Sequence, residues 1–322
     1  MDILLKQVYD IFIADRETSC VNETILYYKE NLTNFFKYCS ESLNKPYDQI
    51  NCTDITKELF SNYVKYLRKR PKFQNHPFLD PSNEVLSATS VRTYCRSIKV
   101  FGSYCEENDY SKDFTKGVKL PKDDSGEIIP LYESEVKTID KCCNLKTELG
   151  LRNWCIVHLM LDAGLRSSEV INLRFCDLLF DKNIIQIWKS KGSKTRLLIL
   201  CPRLKVNLMK YCVLYRNYTQ LPDHSKVFMQ MKNHEPINSN VLKQFFSRLK
   251  KKTGIDRVHP HLCRHTFATA YVIGGGSLEM LRLLLGHSDY EVTRMYLHLA
   301  HQCQMLHSDV YKLDPIYFKK LI

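Results

Sequence analysis

The sequence lacks the features that mark several common classes of protein. Its 13 cysteines lie singly apart from one adjacent pair, with no CxxC motif and no Cys/His cluster at zinc spacing. Scattered cysteines are typical of a reducing cytoplasm, where the thiol acts as a small buried hydrophobe. No apolar run approaches the roughly 18 residues that span a membrane, and the N-terminus does not resemble a secretory signal. We therefore expect a cytoplasmic protein with no membrane partner.

Negative charge is scarce in the second part of the chain. The sequence has 47 Lys and Arg against 35 Asp and Glu, which gives a net charge of +12. Residues 1–120 contribute +1 of this charge and the remainder contributes +11. Such an excess favours a polyanionic partner, because each neutralised phosphate releases counterions. A basic surface that serves only solubility is the alternative.

What the sequence does contain is mostly helical periodicity. Apolar residues recur at helical spacing in segments that predict these helices: 24–39, 56–67, 87–106, 133–143 and 148–163. Two β-type runs, 184–188 and 197–200, flank a lysine-rich turn and predict a β-hairpin. Residues from 204 onward have a helical pattern again. The predicted fold class is therefore mainly α with a small β-hairpin or sheet (α+β).

A polar segment divides the chain into two predicted domains. Residues 116–126 contain glycine, proline and mixed charge, which is typical of a linker. We expect a helical domain over 1–118, a linker over 119–130, and a second domain over 131–322 with a tail from 299. Within the second domain, Ser277 is predicted to cap a helix that ends at Gly286. Ser288 and Glu291 have the spacing of a capping box for the next helix.

Arginine, histidine and tyrosine recur in four short segments that together could process a phosphodiester. Residues 164–169 have the sequence GLRSSE, 261–265 HLCRH, 285–287 LGH and 296–298 YLH. Cleavage requires stabilisation of the nonbridging oxygens, an in-line nucleophile and a proton for the leaving oxygen. Guanidinium forks can hold two phosphate oxygens, whereas metal-dependent nucleases use carboxylate-bound Mg²⁺. We therefore expect a site with no metal and no cofactor.

Each segment alone also has an ordinary structural explanation. Arg166 and Glu169, three residues apart, would form a surface ion pair on a helix. The histidines and Arg264 could be solvated, His287 could end a helix, and Tyr296 is one of 19 tyrosines. The ordered combination is harder to explain by structure alone, because a packed apolar core does not require histidine and arginine at these positions.

The combination resembles the tyrosine recombinase (phage integrase) family, which has GLRxSE, HxLRHTFAT, LGH and YxH boxes. This chain departs from the pattern at Cys263, where the family usually has leucine. That position should pack inward, so we expect no loss of activity. Residues 190–196, SKGSKTR, resemble the family's GKGNKxR hairpin loop, although a turn made soluble by lysines is the alternative. The two-domain plan looks most like Xer-type recombinases and related mobile-element integrases or transposases.

The resemblance implies a role for each matching residue. Tyr296 would be the nucleophile, Arg166 and Arg264 would hold the nonbridging oxygens, and His287 would donate a further hydrogen bond. His261 would assist proton transfer. Lys191 would protonate the 5′-oxygen, with Lys189 close enough to compete. Glu169 would orient Arg166 or a neighbouring basic group from behind. The remaining residues expected to contact DNA are Lys194 and Arg196, together with Lys189.

The resemblance also implies a reaction and an assembly. The enzyme would cleave and rejoin DNA through a 3′-phosphotyrosyl intermediate, without metal or ATP, in element integration or excision or in Xer-type resolution. A SAM-like core-binding domain and a catalytic domain would form a C-clamp around double-stranded DNA with an inverted-repeat core site. A homo-tetramer, or a hetero-tetramer with a paralogue, would act at the nucleoid with accessory bending or directionality factors. The tail would dock on a neighbouring protomer or fold back. Two alternatives are type IB topoisomerase activity and a catalytically silent DNA-binding protein.

Overall fold

The computed structural model describes residues 3–74, 80–122, 128–188, 195–287, 289–306 and 309–318. Its chain divides into two compact units, Met1–Gly126 and Glu127–Ile322. Helices dominate the described part of both units, and the sheet belongs to the second. None of the described helices combines the length and apolar character needed to cross a membrane.

In its described residues, the first unit has four α-helices around an aromatic core. They are α1 (Leu5–Ser19), α2 (Asn22–Leu43), α3 (Lys57–Lys69) and α4 (Ala88–Glu107). The helices predicted over 24–39, 56–67 and 87–106 are confirmed, and α2 is longer than predicted at both ends. Thr56 and Ser87 cap α3 and α4, because their hydroxyls accept from the amides of Leu59 and Ser90. The ring of Phe12 packs edge-on against Phe101 with the centroids 5.3 Å apart.

The second unit contains eight α-helices in its described residues. They are α5 (Glu133–Lys141), α6 (Glu148–Leu161), α7 (Ser167–Asn172), α8 (Pro202–Arg216), α9 (Ser239–Thr253), α10 (Pro260–Ile273), α11 (Leu278–Leu285) and α12 (Glu291–Leu306). The central helix α6 packs against both α8 and α10, and α10 also packs against α12. Almost every residue of α6 is buried, which explains its nearly continuous apolar sequence.

A small antiparallel sheet borders these helices. Its strands are β1 (Leu178–Leu179), β2 (Ile184–Ile187) and β3 (Arg196–Ile199), in the order β1-β2-β3. The predicted hairpin is confirmed, with Ile185 paired to Leu198 and both side chains buried. The sequence did not predict β1, because two residues are too few to show a period. Residues 189–194 of the hairpin loop lie outside the described part of the chain.

The ends of α11 and α12 differ in how well the sequence predicts them. Ser277 caps α11 by accepting from the amide of Met280 at 3.1 Å, as predicted. Gly286 ends that helix with a φ of 63°. Helix α12 begins at Glu291, two residues later than a cap at Ser288 would require. Ser288 itself lies outside the described residues, and Asp289 Oδ1 accepts from the amide of Glu291 at 2.9 Å.

The C-terminal tail is shorter than predicted, because α12 extends to Leu306 and so includes residues 299–306. The described residues 309–318 return to their own unit. Tyr311 donates its amide to the carbonyl of Leu131 at 3.1 Å and its hydroxyl to Asp162 Oδ1 at 2.6 Å. Tyr317 donates its hydroxyl to the carbonyl of Ile199 at 2.9 Å. These contacts correspond to the predicted fold-back, and docking on a neighbouring protomer stays a prediction.

Candidate active site

Three arginines meet at the C-terminal end of α11. Arg196 Nε donates to the carbonyl of Leu284 at 2.8 Å, and Arg264 Nη2 donates to that of Leu285 at 2.6 Å. Arg166 Nη2 donates to the carbonyl of Gly286 at 3.1 Å. The last carbonyls of a helix lack partners within it and form the negative end of its dipole, so they attract cations. The consecutive carbonyls of Leu284, Leu285 and Gly286 therefore orient three guanidinium groups.

The turn between α6 and α7 fixes Arg264 from the opposite side. Arg264 Nη1 donates to the carbonyl of Gly164 at 2.5 Å. Gly164 has a φ of 67°, and a Cβ there would lie 2.6 Å from Phe267 Cδ1. Only glycine adopts this conformation in that space without strain. Burial, together with Arg166 and Arg196, lowers the pKa of Arg264 to about 9, which leaves the guanidinium charged at neutral pH.

Glu169 joins two of the arginines at the start of α7. Its carboxylate accepts from Arg166 Nη1 at 3.1 Å, and from Arg196 Nη1 and Nη2 at 2.8 and 2.6 Å. Although burial opposes ionisation, Arg196 and Arg166 hold the pKa of Glu169 below its usual range. Arg166, Arg196, Arg264 and Glu169 form what we call the arginine cluster. Three cations face one carboxylate there, which leaves two unmatched positive charges.

Arg196, predicted to contact the DNA backbone, has its side chain directed into the second unit in this structure. Arg196 is the first residue of β3 and is only 7% exposed, with its guanidinium directed inward to Glu169 and α11. The sequence grouped it with the lysines of the hairpin loop, whereas the strand places its side chain on the buried face. Lys189, Lys191 and Lys194 lie outside the described residues.

His287 contacts Arg264 directly. Its Nε2 lies 3.2 Å from Arg264 Nη2, and because a guanidinium can only donate, Nε2 is assigned as the acceptor. Nδ1 lies 3.0 Å from Thr293 Oγ1. Burial, followed by Arg264 and Arg166, lowers the pKa of His287 to about 4, so the ring is neutral at pH 7. His287 therefore accepts here, and the predicted role as a phosphate donor requires Nε2 to gain a proton.

Tyr296 lies on α12 beside this group. Its side chain is buried, with 2% exposed, and its ring is almost parallel to that of His287 with the centroids 6.4 Å apart. Its hydroxyl lies 2.8 Å from Nδ1 of His265. Burial raises the pKa of Tyr296 to about 12, although Arg264 and Arg166 act in the opposite direction. The phenol is therefore protonated at pH 7 and lies within the field of both arginines.

His261 lies at the exposed edge of the site, in the first turn of α10. Burial, followed by His259, Arg264 and Arg166, lowers its pKa. Two further histidines were not predicted as site residues. His259 caps α10, because its Nδ1 accepts from the amide of Leu262 at 2.8 Å, and His265 contacts Tyr296. Both lie in or beside the HLCRH segment, so their sequence positions were a usable signal.

A cavity of about 910 Å³ opens beside Arg166. Basic side chains on its wall include Arg174, His224 and Lys226, and Trp188, directly after β2, also lines it. Five of the predicted site residues lie close together in this structure: Arg166, Glu169, Arg264, His287 and Tyr296. Across the described ranges, no group of three His, Cys, Asp or Glu side chains is placed to hold a metal ion.

The chain is similar to known proteins over most of its length. Residues 130–302 match the sequence model of the phage integrase family. The tyrosine recombinase XerD of Listeria monocytogenes is 26% identical over 317 residues, covering 97% of this chain and 98% of that protein. XerD of Rickettsia bellii is 25% identical over 311 residues, covering 92% and 93%.

Solved structures share the fold. The Tn1549 transposon integrase in complex with a circular intermediate DNA aligns with a TM-score of 0.70 and 16% identity, over 94% of this chain and 99% of that chain. A lambda integrase dimer bound to a core site aligns with a TM-score of 0.67 and 14% identity, over 91% and 95%. The family match covers more than half of the chain and includes the segments that bear Arg166, Arg264, His287 and Tyr296. This protein therefore belongs to the phage integrase family of tyrosine recombinases, enzymes that break and rejoin DNA.

Proposed function

We propose that Tyr296 carries the strand breakage of this site-specific recombinase. The phenol oxygen attacks the scissile phosphate, forms a 3′-phosphotyrosyl bond and frees a 5′-hydroxyl. The covalent bond retains the energy of the phosphodiester, so rejoining consumes no ATP. The observation that carries this proposal is the surplus of fixed positive charge beside a buried tyrosine.

The two unmatched charges of the arginine cluster suit the phosphate and the charge that develops on it. Arg166 is the accessible member, with 34% of its side chain exposed, whereas Arg264 is almost fully buried behind it. Both guanidinium groups are fixed by backbone carbonyls before any substrate arrives, and such preorganised donors stabilise a transition state without reorganisation. Glu169 positions Arg166 and Arg196 rather than contacting the phosphate.

Further proton transfers complete the proposed reaction. A phosphate bound beside Arg264 would raise the proton affinity of His287, whose Nε2 could then donate. His261, at the exposed edge, is proposed to assist proton transfer at the tyrosine or the phosphate. Lys191 remains the proposed donor to the 5′-oxygen, with Lys189 as the competing residue. Lys194 is proposed to contact the DNA backbone.

The proposed partner is double-stranded DNA with an inverted-repeat core site. Among related structures, a lambda integrase dimer is bound to a core site and XerH is bound to a palindromic difH substrate. We extend DNA binding to both units of this chain, with residues 1–118 as the core-binding domain. Four protomers, identical or shared with a paralogue, would act on two duplexes in the cytoplasm, at the nucleoid. Element integration or excision and Xer-type resolution, aided by accessory factors, are the candidate tasks.

The test is covalent capture of DNA. A duplex enriched from a randomised pool by the wild-type protein is nicked near its centre in several registers, so that the cleaved fragment diffuses away. We expect the wild type to form a denaturation-resistant adduct and Tyr296→Phe to lose it by at least about 10⁴-fold, because phenylalanine has no nucleophile. Tyr290→Phe, at an exposed tyrosine just before α12, is the matched control and should retain the adduct.

The same assay separates the alternatives. An adduct that persists in Tyr296→Phe would overturn the assignment of the nucleophile. Binding without any adduct would identify a catalytically silent DNA-binding protein. Relaxation of supercoiled plasmid without sequence preference would indicate topoisomerase activity, which the family match does not support.

A further inference from the structure

The hydroxyl of Tyr296 is hydrogen-bonded to His265, a residue that the proposed mechanism leaves without a role. Oη of Tyr296 and Nδ1 of His265 are 2.8 Å apart, and the two ring centroids are 5.6 Å apart. His265 follows Arg264 directly on α10, and Tyr296 projects from α12, which packs against α10. The contact therefore joins the proposed nucleophile to the helix that carries a phosphate-binding arginine.

The charges around His265 keep its ring neutral. Burial, followed by His261, His259 and Arg264 on its own side of the site, lowers the pKa of His265 to about 4. Tyr296 faces it from α12, and His287 lies nearby in the segment before that helix. At neutral pH Nδ1 of the imidazole is thus unprotonated and can accept a proton, whereas the buried phenol retains its own.

The other histidines are less suited to take that proton. Both ring nitrogens of His287 have close partners, Arg264 and Thr293. His261 is exposed at the edge of the site. The geometry thus singles out His265, because a general base must lie within hydrogen-bond reach of the proton it removes.

We propose that His265 accepts the proton of Tyr296 as the phenol oxygen attacks the phosphate. This inference rests on the proposed function of Tyr296. The proton passes from Oη to Nδ1 while the Oη–P bond forms and the bond from phosphorus to the 5′-oxygen breaks. The 5′-oxygen takes its own proton from a separate acid, and rejoining reverses every transfer. The negative phosphate that enters with the DNA offsets the charge of the imidazolium.

The test measures removal of the Tyr296 proton separately from protonation of the leaving 5′-oxygen. The nicked duplex selected above is resynthesised with a 5′-bridging sulfur at the mapped cleavage position, since a thiolate leaves without a proton. Single-turnover adduct formation is measured from about pH 6 to about pH 9. The variants are His265→Ala and His265→Asn, whose amide oxygen can accept the phenol hydrogen bond but is not a base. His301→Ala, at an exposed histidine later on α12, is the matched control.

We expect the wild type and His301→Ala to share one pH profile, in which the rate rises by much less than tenfold per pH unit because His265 rather than hydroxide takes the proton. His265→Ala should lose about 10²–10⁴-fold at pH 7, and its rate should rise close to tenfold per pH unit as hydroxide replaces the base. His265→Asn should have the same pH slope with a smaller loss. Urea unfolding of each variant checks that the fold is retained.

Three results would overturn the proposal. His265→Ala could retain the wild-type rate, or lose rate while its pH profile keeps the wild-type shape. His265→Asn could restore both the rate and the pH profile of the wild type, which would make His265 a positioning residue only. Absence of any Tyr296-dependent adduct in the wild type would instead overturn the proposed function itself.

Discussion

Two polar clusters lie in the second unit, and their charges are matched differently. In the arginine cluster, three guanidinium groups share Glu169. The second, which we call the carboxylate cluster, consists of Asp140, His158, Asp162, Arg203 and Tyr311, and Arg203 forms an ion pair with Asp140. There the buried ring of His158 lies between two carboxylates, with Nδ1 2.8 Å from Asp162 Oδ2 and Nε2 2.7 Å from Asp140 Oδ1. Tyr311 donates to the other oxygen of Asp162, which ties the C-terminal tail to the cluster.

The pKa values of the histidines differ in the same way as the charges of the two clusters. Burial alone would lower the pKa of His158, but Asp162 and Asp140 outweigh it and the pKa is raised. Beside the arginine cluster, burial and cationic neighbours act together, and the pKa values of His287 and His265 fall to about 4. A buried cluster whose charges are matched is complete as a structural element. A cluster with surplus positive charge is suited to an anion that arrives from outside.

The largest effect that would sharpen this comparison is expected on the rate of cleavage, when Arg264 loses the two-pronged geometry of its guanidinium group. Arg264→Lys keeps the positive charge but cannot reach the carbonyls of Gly164 and Leu285 together. We expect the rate of adduct formation to fall by about 10²–10³-fold, which is about 3–4 kcal/mol of transition-state stabilisation. DNA affinity should change by only a few-fold, because other cations also bind phosphates. Single-turnover assays and binding titrations on the selected duplex give the two values.

Arg294→Lys, on the exposed face of α12, is the control and should behave as the wild type. Cleavage by Arg264→Lys at close to the wild-type rate would break the comparison. It would mean that the surplus charge of the arginine cluster serves the fold rather than the phosphate.

The next effect is expected on stability rather than on chemistry. Asp162→Ala removes a partner of His158 and of the Tyr311 hydroxyl, and leaves both polar groups buried. We expect the free energy of unfolding to fall by about 3 kcal/mol, with cleavage per folded molecule unchanged. Both tryptophans of the chain, Trp154 and Trp188, belong to the second unit, so their fluorescence in urea reports this unit.

Asp181→Ala, at an exposed carboxylate, should change the free energy of unfolding by no more than about 0.5 kcal/mol. If Asp162→Ala instead slowed cleavage as strongly as Arg264→Lys, the carboxylate cluster would belong to the reaction. The division between a matched structural cluster and an unmatched functional one would then fail.

Local features of this fold could be predicted from the sequence. Ser277 caps α11 as predicted, because its hydroxyl needs only an amide three residues away. The helix predicted from Thr56 is also present, although Thr56 itself is its cap. The predicted hairpin follows from apolar strand residues on either side of a polar turn. Arg166 and Glu169 are also local, since they lie three residues apart at the start of one helix. The family resemblance added the order of the four segments and thus the candidate residues.

Contacts between distant segments could not be predicted. Arg196 joins Glu169 and α11 only because β3 packs beside them, and nothing in the hairpin segment indicates that its guanidinium is directed inward. The sharing of three consecutive carbonyls at the end of α11 depends on three separate parts of the chain. The bond between His265 and Tyr296 joins residues 31 apart and requires α10 to pack on α12.

The smallest expected effect is the way in which the stability contributed by one histidine at each cluster changes with pH. His287 has a lowered pKa in the folded protein, so the unfolded chain binds more protons below about pH 6.5. Its contribution to stability is present above that pH and is lost as the pH falls towards about 4. His158 has a raised pKa, so its contribution is present below about pH 6.5 and is lost as the pH rises through the folded value.

Substitution of each histidine should therefore have opposite pH profiles. The destabilisation caused by His287→Asn should be larger at about pH 7 than at about pH 5, whereas that caused by His158→Asn should be larger at about pH 5 than at about pH 8. We expect each difference to be on the order of 1 kcal/mol, after allowance for solvent screening at His287. Urea unfolding followed by tryptophan fluorescence measures both. Profiles with the same sign would contradict the comparison, because two carboxylates around one ring and two guanidinium groups beside the other must shift proton affinity in opposite directions.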